Sequence, residues 1–166
     1  IFGQQEGIAV ENSEVFPLTA YSKANHHAEI DNLVLNDDEF TVTALRFSSL
    51  FGVSPRMRFD IAVNEMVLEL YKTKKITVRG KTNQRPFLHV KDAVNAYKLV
   101  LQASKEKISG QIFNVGTDEQ NYKIGELAQE VANAINVNCT LELGDNKDHR
   151  SYFTSFKKIQ KDLNKD

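Results

Sequence analysis

Two hydrophobic periods alternate along this chain, and the alternation restricts its fold more than any other feature. Residues 40–47 (FTVTALRF) are rich in β-branched and aromatic side chains, as a buried strand requires. Phe59, Ala62, Val63, Met66, Val67 and Leu70 then recur at helical spacing, predicting a helix over about 60–71. Short strands are expected at 76–78 and 86–90, and a helix from Lys91-Asp92 carries Val94, Tyr97, Val100 and Leu101 on one side. Residues 111–115 read as a strand closed by Gly116; Ile124, Leu127, Ala128, Val131 and Ile135 mark a helix; 140–143 read as a strand and 155–163 as a closing helix. Upstream, a polar loop after Gly3 runs to Thr19, a good N-cap for a helix over about 20–36 with Ala24, Ala28 and Leu35 at its small or apolar positions. Residues 48–58 are expected to form a loop, punctuated by Gly52 and Pro55. Helices alternating with short strands define the α/β class.

The length of 166 residues suits one domain spanning 1–166, and nothing in the chain reads as a repeat or an interdomain linker. The polar stretch 144–149 is too short to separate domains. A net charge of −1 argues against nucleic-acid or acidic-membrane binding, which needs a basic surplus. No apolar run is long enough to span a bilayer. Cys139 is the only cysteine, so no internal disulfide forms, which fits a reducing compartment and a cytoplasmic location. His26 and His27 are adjacent and point to different helix faces, and no second pair has metal-ligand spacing, so no metal is expected. The chain opens on the apolar Ile1-Phe2-Gly3 with no methionine or leader, so a fragment of a longer protein is expected.

Several segments together resemble the extended short-chain dehydrogenase/reductase family, the NAD-dependent nucleotide-sugar epimerases and dehydratases. Ile1-Phe2-Gly3 is similar to the end of its serine-bearing strand, and Pro17 to Tyr21 with Ala28-Glu29 to its Y-x-x-x-K helix. Leu45-Arg46 to Phe51-Gly52 resembles its L-R-x-x-x-x-[YF]-G segment, and Arg85-Pro86-Phe87-Leu88-His89-Val90-Lys91-Asp92 its R-x-F-x-H-V-x-D segment. Gly110 to Gly116 resembles its G-x-x-[FY]-N-[VI]-G strand, and Asp148 to Tyr152 its late arginine segment. Each piece is weak alone; their shared order and spacing make the resemblance specific. It implies the C-terminal part of a Rossmann-like NAD(P)-binding fold with a small mixed α/β region that binds substrate. It also implies NAD or NADP as cofactor, a nucleoside-diphosphate sugar as substrate, and either a homo-oligomer or pairing with an N-terminal half. The eight glycines, at 3, 7, 52, 80, 110, 116, 125 and 144, never take the spacing of a dinucleotide-binding loop. The family's catalytic Ser/Thr, about two dozen residues before the tyrosine, would fall before Ile1.

In this family a tyrosine is the acid/base that moves the hydroxyl proton while hydride passes to the nicotinamide. A free phenol has a pKa near 10, so a nearby cation is needed for it to act near neutrality. The family supplies a lysine four residues on, about 40° round the helix. Here Tyr21 is followed at that position by Asn25, while Lys23 lies roughly 200° round and faces away. Glu29, eight residues after Tyr21, fixes this register. Asn25 can hydrogen-bond a ribose hydroxyl but carries no charge. Tyr21 and Asn25 are therefore the expected catalytic and cofactor-binding positions, with Tyr21 a poor base. The plainer alternative for Tyr21 is a partly buried tyrosine at a helix start.

By the same resemblance, Arg85 and Arg150 are expected to hold the substrate diphosphate, for which a guanidinium fork is suited. The alternatives are a surface ion pair of Arg85 with Asp92, and a solvated loop charge for Arg150. Ser49 and Asn64 resemble substrate-side positions, although a helix asparagine can equally face solvent. Arg56 and Arg58 flank a loop that covers substrate in relatives. His89 is expected to be structural, and Asn114 and Gly116 to shape a strand end.

Overall fold

The computed structural model describes residues 1–135, 138–146 and 148–163. Its elements alternate as expected: β1 (Gln4–Ala9), α1 (Ala20–Leu33), β2 (Thr43–Phe47), β3 (Ser49–Phe51), α2 (Ala62–Thr73), β4 (Lys75–Arg79), β5 (Gln84–His89), α3 (Val90–Gln102), α4 (Lys105–Ile108), β6 (Gln111–Val115), β7 (Asn121–Lys123), α5 (Ile124–Ile135), β8 (Thr140–Gly144), β9 (Ser151–Thr154) and α6 (Lys157–Leu163). Four parallel pairings organise them: β1 with β9, β2 with β6, β3 with β5 and β4 with β8. β7 adds antiparallel to β5, through Arg85 opposite Tyr122. Parallel pairs need crossovers, which explains the helices between them.

Two apolar clusters carry the packing. Met66 and Leu70 of α2 and Leu127, Ala128, Val131 and Ala132 of α5 close over Ile76 and Val78 of β4 and Phe87 of β5. Ala93, Ala96 and Val100 of α3 and Ile159 and Leu163 of α6 close over Leu88, Phe113 and Val115. Both sets follow from helical spacing meeting strand alternation.

The differences from the expected elements have local causes. The segment after Gly3 is a strand, because β9 offers it a parallel partner far away in sequence. β9 itself occupies residues expected to lead into the closing helix, which starts at Lys157. Asn121 helps fix β9: its amide accepts from Thr154 N (2.9 Å) and donates to Thr154 O (2.9 Å). β2 starts at Thr43, three residues later than expected, because the Asp37 carboxylate accepts from Glu39 N and Phe40 N and closes a turn there. Within the expected loop after Phe47, residues 49–51 pair with β5 as β3. Gly3 has φ 72°, and a Cβ there would come within 2.1 Å of Phe16 O, so only glycine lets the chain turn into β1.

α1 is capped but not packed. Thr19 Oγ1 accepts from Ser22 N (3.1 Å), and Ser22 Oγ accepts from Thr19 N (3.0 Å). No residue of α1 is buried, so Ala24 and Ala28 do not fill a core, and Leu35 beyond its end is exposed. Among the described residues β2 has one partner, β6, so its other edge is open beside α1.

Candidate functional site

Tyr21 stands in the first turn of α1, where the Thr19 cap fixes the helix start. It is 79% exposed, so it is not the partly buried tyrosine of the plainer reading. Tyr21, Asn25, Ala28, Glu29 and Asn32 share one helix face and line a cavity of about 530 Å³. Lys23 does not line it and is exposed. Asn25 thus takes the place four residues after the tyrosine, and no helix lysine faces Tyr21. The opposite wall is the open edge of β2, with Asn114, Tyr152, Thr154 and Phe156 also lining the cavity.

Glu29 locks that helix face to the sheet. Its carboxylate accepts from Arg46 Nε (2.8 Å) and Nη2 (2.7 Å) in a largely buried two-point pair, and Arg46 Nη1 also donates to Glu11 O. Asn114 is fully buried, its backbone N–H donates to Glu11 Oε1, and its Nδ2 donates to Ser155 O. Asn114 Oδ1 and Thr154 Oγ1 are buried without a protein partner among the described residues, and both residues line the same cavity. Buried polar atoms are rarely left unpaired, so this wall suits a ligand or water that can hydrogen-bond. On the helix side the Asn25 amide offers both a donor and an acceptor without charge.

Arg85 and Arg150, 65 residues apart, meet at one carboxylate. Arg85 Nη2 donates to Asp148 Oδ2 (3.0 Å), and Arg150 donates from Nε to Oδ1 (2.8 Å) and from Nη2 to Oδ2 (2.8 Å). Arg150 N adds a fourth contact to Oδ1 at 3.0 Å. The partner of Arg85 is therefore Asp148, not Asp92. Arg85 is buried, its Nη1 donates to Gln84 O, and its guanidinium lies 5.3 Å from the centre of the Tyr152 ring. Burial alone would raise the Asp148 carboxyl; the hydrogen bonds from Arg150 and the fields of Arg85 and Arg150 outweigh it and hold it well below the usual carboxylate range. Burial also lowers the Arg85 guanidinium from its ordinary value, against the opposing pull of Asp148.

Asp148 and Arg150 line a second cavity of about 730 Å³ with Thr77, Arg79, Leu18 and Thr19. Thr19, which lines this second cavity, caps the helix that carries Tyr21, and the two cavities share no lining residue. Tyr152 lines the first cavity, carries Arg85 on its ring and packs edge-on against Phe2 at 5.7 Å, while Arg85 itself lines neither cavity.

The remaining expected positions separate. Ser49 is exposed, pairs opposite Phe87 and lines neither cavity; its neighbour Ser48 lines the first, with Oγ donating to Val115 O. Asn64 is buried rather than facing solvent: its Oδ1 accepts from Gly52 N (3.1 Å) and its Nδ2 donates to Arg58 O (2.9 Å). Both ends of that amide hold the 52–58 loop. Arg58 forms an exposed fork with Asp60, and Arg56 is exposed; neither reaches the arginine pair. His89 caps α3 by accepting from Lys91 N at Nδ1, the structural role expected of it. A side chain at Gly116 would meet Phe156 and Ser48 at 2.6 Å, which accounts for glycine at that strand end. His26 Nδ1 lies 3.9 Å from Glu29 Oε1, and among the described residues no group of three His, Cys, Asp or Glu could hold a metal. Sequence reasoning did not find Asp148, Tyr152 or Arg79 as site residues. The D-x-R-x-Y spacing could have flagged the first two, and strand alternation with Ile76 and Val78 puts Arg79 on the face of Thr77.

The parallel strand pairs, the tyrosine-bearing helix and the paired arginines define an α/β fold of the extended short-chain dehydrogenase type. The chain belongs to the NAD dependent epimerase/dehydratase family, whose model matches residues 1–116. Arg150 and Asp148 lie beyond that match. A Bacillus subtilis (strain 168) protein described as an uncharacterized UDP-glucose epimerase, YtcB, is 26% identical over 122 residues, covering 72% of this chain and 37% of its own length. An uncharacterized Schizosaccharomyces pombe protein, PB2B2.11, is 26% identical over 145 residues, covering 72% of this chain and 39% of its own. Among solved structures, MoeE5 in complex with UDP-glucuronic acid and NAD superposes with a TM-score of 0.83 at 24% identity, over 98% of this chain and 55% of that one. The dTDP-glucose 4,6-dehydratase of Bacillus anthracis in complex with NAD gives 0.82 at 21% identity, over 97% of this chain and 51% of that one. These structural likenesses establish the fold. The chain spans about half the length of these solved structures and less than half of the curated relatives.

Among the described residues no helix is long and apolar enough to cross a membrane.

Proposed function

We propose that the intact protein is an NAD-dependent epimerase, dehydratase or reductase acting on a nucleoside-diphosphate sugar, and that this chain supplies its substrate side and its tyrosine. The observation that carries this reading is the convergence of Arg85 and Arg150 on a single carboxylate, beside a cavity that Thr19 of the tyrosine helix also lines. A guanidinium fork from Arg150 and a further donor from Arg85, aimed at one anion, suit a diphosphate. Relatives of this fold have been solved with UDP-sugars and NAD, which supports the same ligands here. Tyr21 takes and returns the hydroxyl proton, and Asn25 hydrogen-bonds the nicotinamide ribose. Bound NAD supplies the hydride acceptor. Ser49 stands on the sugar side by family resemblance. For Asn64, whose amide is fully engaged within the chain, we favour holding the 52–58 loop.

Asn25 supports a second reading, a member of the family that binds nucleotide sugars but turns them over slowly or not at all. The test is reduction of bound NAD in the intact protein on mixing with UDP-glucose or dTDP-glucose. The enzyme reading expects slow reduction, its loss in Tyr21→Phe, and a gain of tenfold or more in Asn25→Lys, the order of a general acid/base contribution. Binding of UDP with no turnover in either the native or the Asn25→Lys protein selects the silent reading for these sugars.

We also infer that α1 and the open edge of β2 are covered in the intact protein, by an N-terminal half or a second copy. Ile30, Val34, Leu35 and Phe40, on α1 and in the segment that leads from it to β2, are 46–78% exposed. An exposed apolar strip next to unpaired strand groups favours association. Light scattering of residues 1–166 alone is expected to show association; a monomer in dilute solution contradicts this.

A further inference from the structure

Asp148 makes the arginine pair a site that is already filled. Its carboxylate takes four hydrogen bonds, one from Arg85 Nη2 and three from Nε, Nη2 and the backbone N of Arg150. The Arg85 side chain is 9% exposed, that of Asp148 43% and that of Arg150 46%. Arg85 is thus enclosed by the Tyr152 ring, the Gln84 carbonyl and Asp148, and of these Asp148 is the side chain that is both polar and open to solvent. A diphosphate can use Arg85 only if the carboxylate leaves. Charge points the same way: two guanidiniums and one carboxylate sum to +1, and adding a diphosphate of about −2 with Asp148 in place gives about −1, whereas replacing Asp148 gives about 0.

The backbone at Asp148 is tied down separately. Asn83 Nδ2 donates to Asp148 O (2.6 Å), and Asp148 N donates to Asn146 Oδ1 (3.1 Å). A rotation of the side chain alone therefore suffices, and the loop need not move.

Building on the diphosphate reading of this site, we infer that Asp148 is a resident anion that holds Arg85 and Arg150 in register when no nucleotide is present and is displaced when a diphosphate binds. Asp148 is then a positioning residue that lowers affinity and speeds release, because each binding event must break its contacts and each departure re-forms them. It also favours ligands with enough charge and reach to displace a carboxylate, a diphosphate over a monophosphate.

The test is calorimetric titration of the intact protein with inorganic pyrophosphate and with UDP, in wild type and Asp148→Asn. Removing the resident charge while keeping the side-chain shape is expected to tighten both by about tenfold. Equal or weaker binding in Asp148→Asn, with wild type binding normally, overturns the resident-anion role and leaves the arginine site standing. Absence of binding to either protein overturns both. A wild-type structure with UDP is the second arm, and it does not depend on the variant folding. Asp148 more than 4 Å from Arg85 Nη2 supports displacement; Asp148 still bonded to Arg85 beside bound UDP overturns it.

Discussion

The two sides of the molecule are built on opposite plans. On the side of α2, α5 and β4, the apolar residues are spaced to meet one another, and Leu70 and Ile76 are fully buried. On the side of α1 and β2, a well-capped helix lies beside a strand with a free edge, and not one helix residue is buried. The first side is stable through its own core. The second is held by polar links, the Thr19 cap and the Glu29–Arg46 pair, and its face is exposed. The expected functional residues Tyr21 and Asn25 are on this second side.

The largest effect that tests this contrast is Leu70→Ala, expected to cost about 4 kcal/mol in urea titrations of residues 1–166 because it empties a fully buried position. Val34→Ala, 78% exposed just beyond α1, should cost less than about 0.5 kcal/mol in the same assay. Similar costs for the two would break the comparison. Glu29→Gln comes next at about 3 kcal/mol, since it leaves the largely buried Arg46 guanidinium without its carboxylate. A cost near zero would mean that α1 is not held through this pair. Thr19→Ala should cost about 1 kcal/mol by removing the cap, read from the same titrations and from lost helical circular dichroism. The smallest effect concerns acid. The folded-state pKa of Asp148 lies below its unfolded value, so its contribution is present above about pH 4, the unfolded carboxylate range, and is lost as pH falls through the folded value. Melting temperatures of wild type and Asp148→Asn should differ by a constant amount above that pH and converge below it. A gap that stays constant into acid would remove Asp148 from the linkage.

Most elements on the packed side were legible in the sequence from their periodicity, although on α3 the buried face is Ala93, Ala96 and Val100, while Val94, Tyr97 and Leu101 of the expected apolar side are 49–83% exposed. The strand Gln111–Val115 and the helices over Met66, Val100 and Val131 stand where spacing puts them. β1 and β9 were not legible, because each is a strand only through the other, about 145 residues away. The site was half legible. Asn25 in place of a lysine follows from the family resemblance together with the i, i+4 geometry of a helix, and Asn25 lines the cavity beside Tyr21. The pairing of Arg85 with Asp148 rather than Asp92 did not follow, because it depends on how a loop from the chain's end folds over β5. Asn64 looked like a choice between substrate and solvent, and a loop that needed both ends of its amide supplied a third answer.

One small contact has a consequence for how such a protein diversifies. Gly52 has φ 113°, and a Cβ there would come within 2.5 Å of the His89 imidazole, which is itself pinned by Lys91 N and the Phe51 ring. A side chain at position 52 would therefore push on the imidazole that caps α3 and disturb the root of the loop that follows. Beyond that root the chain is exposed at Val53, Pro55, Arg56 and Arg58 to Asp60. Substitution at those exposed positions leaves the post beneath them, Gly52 against His89, in place.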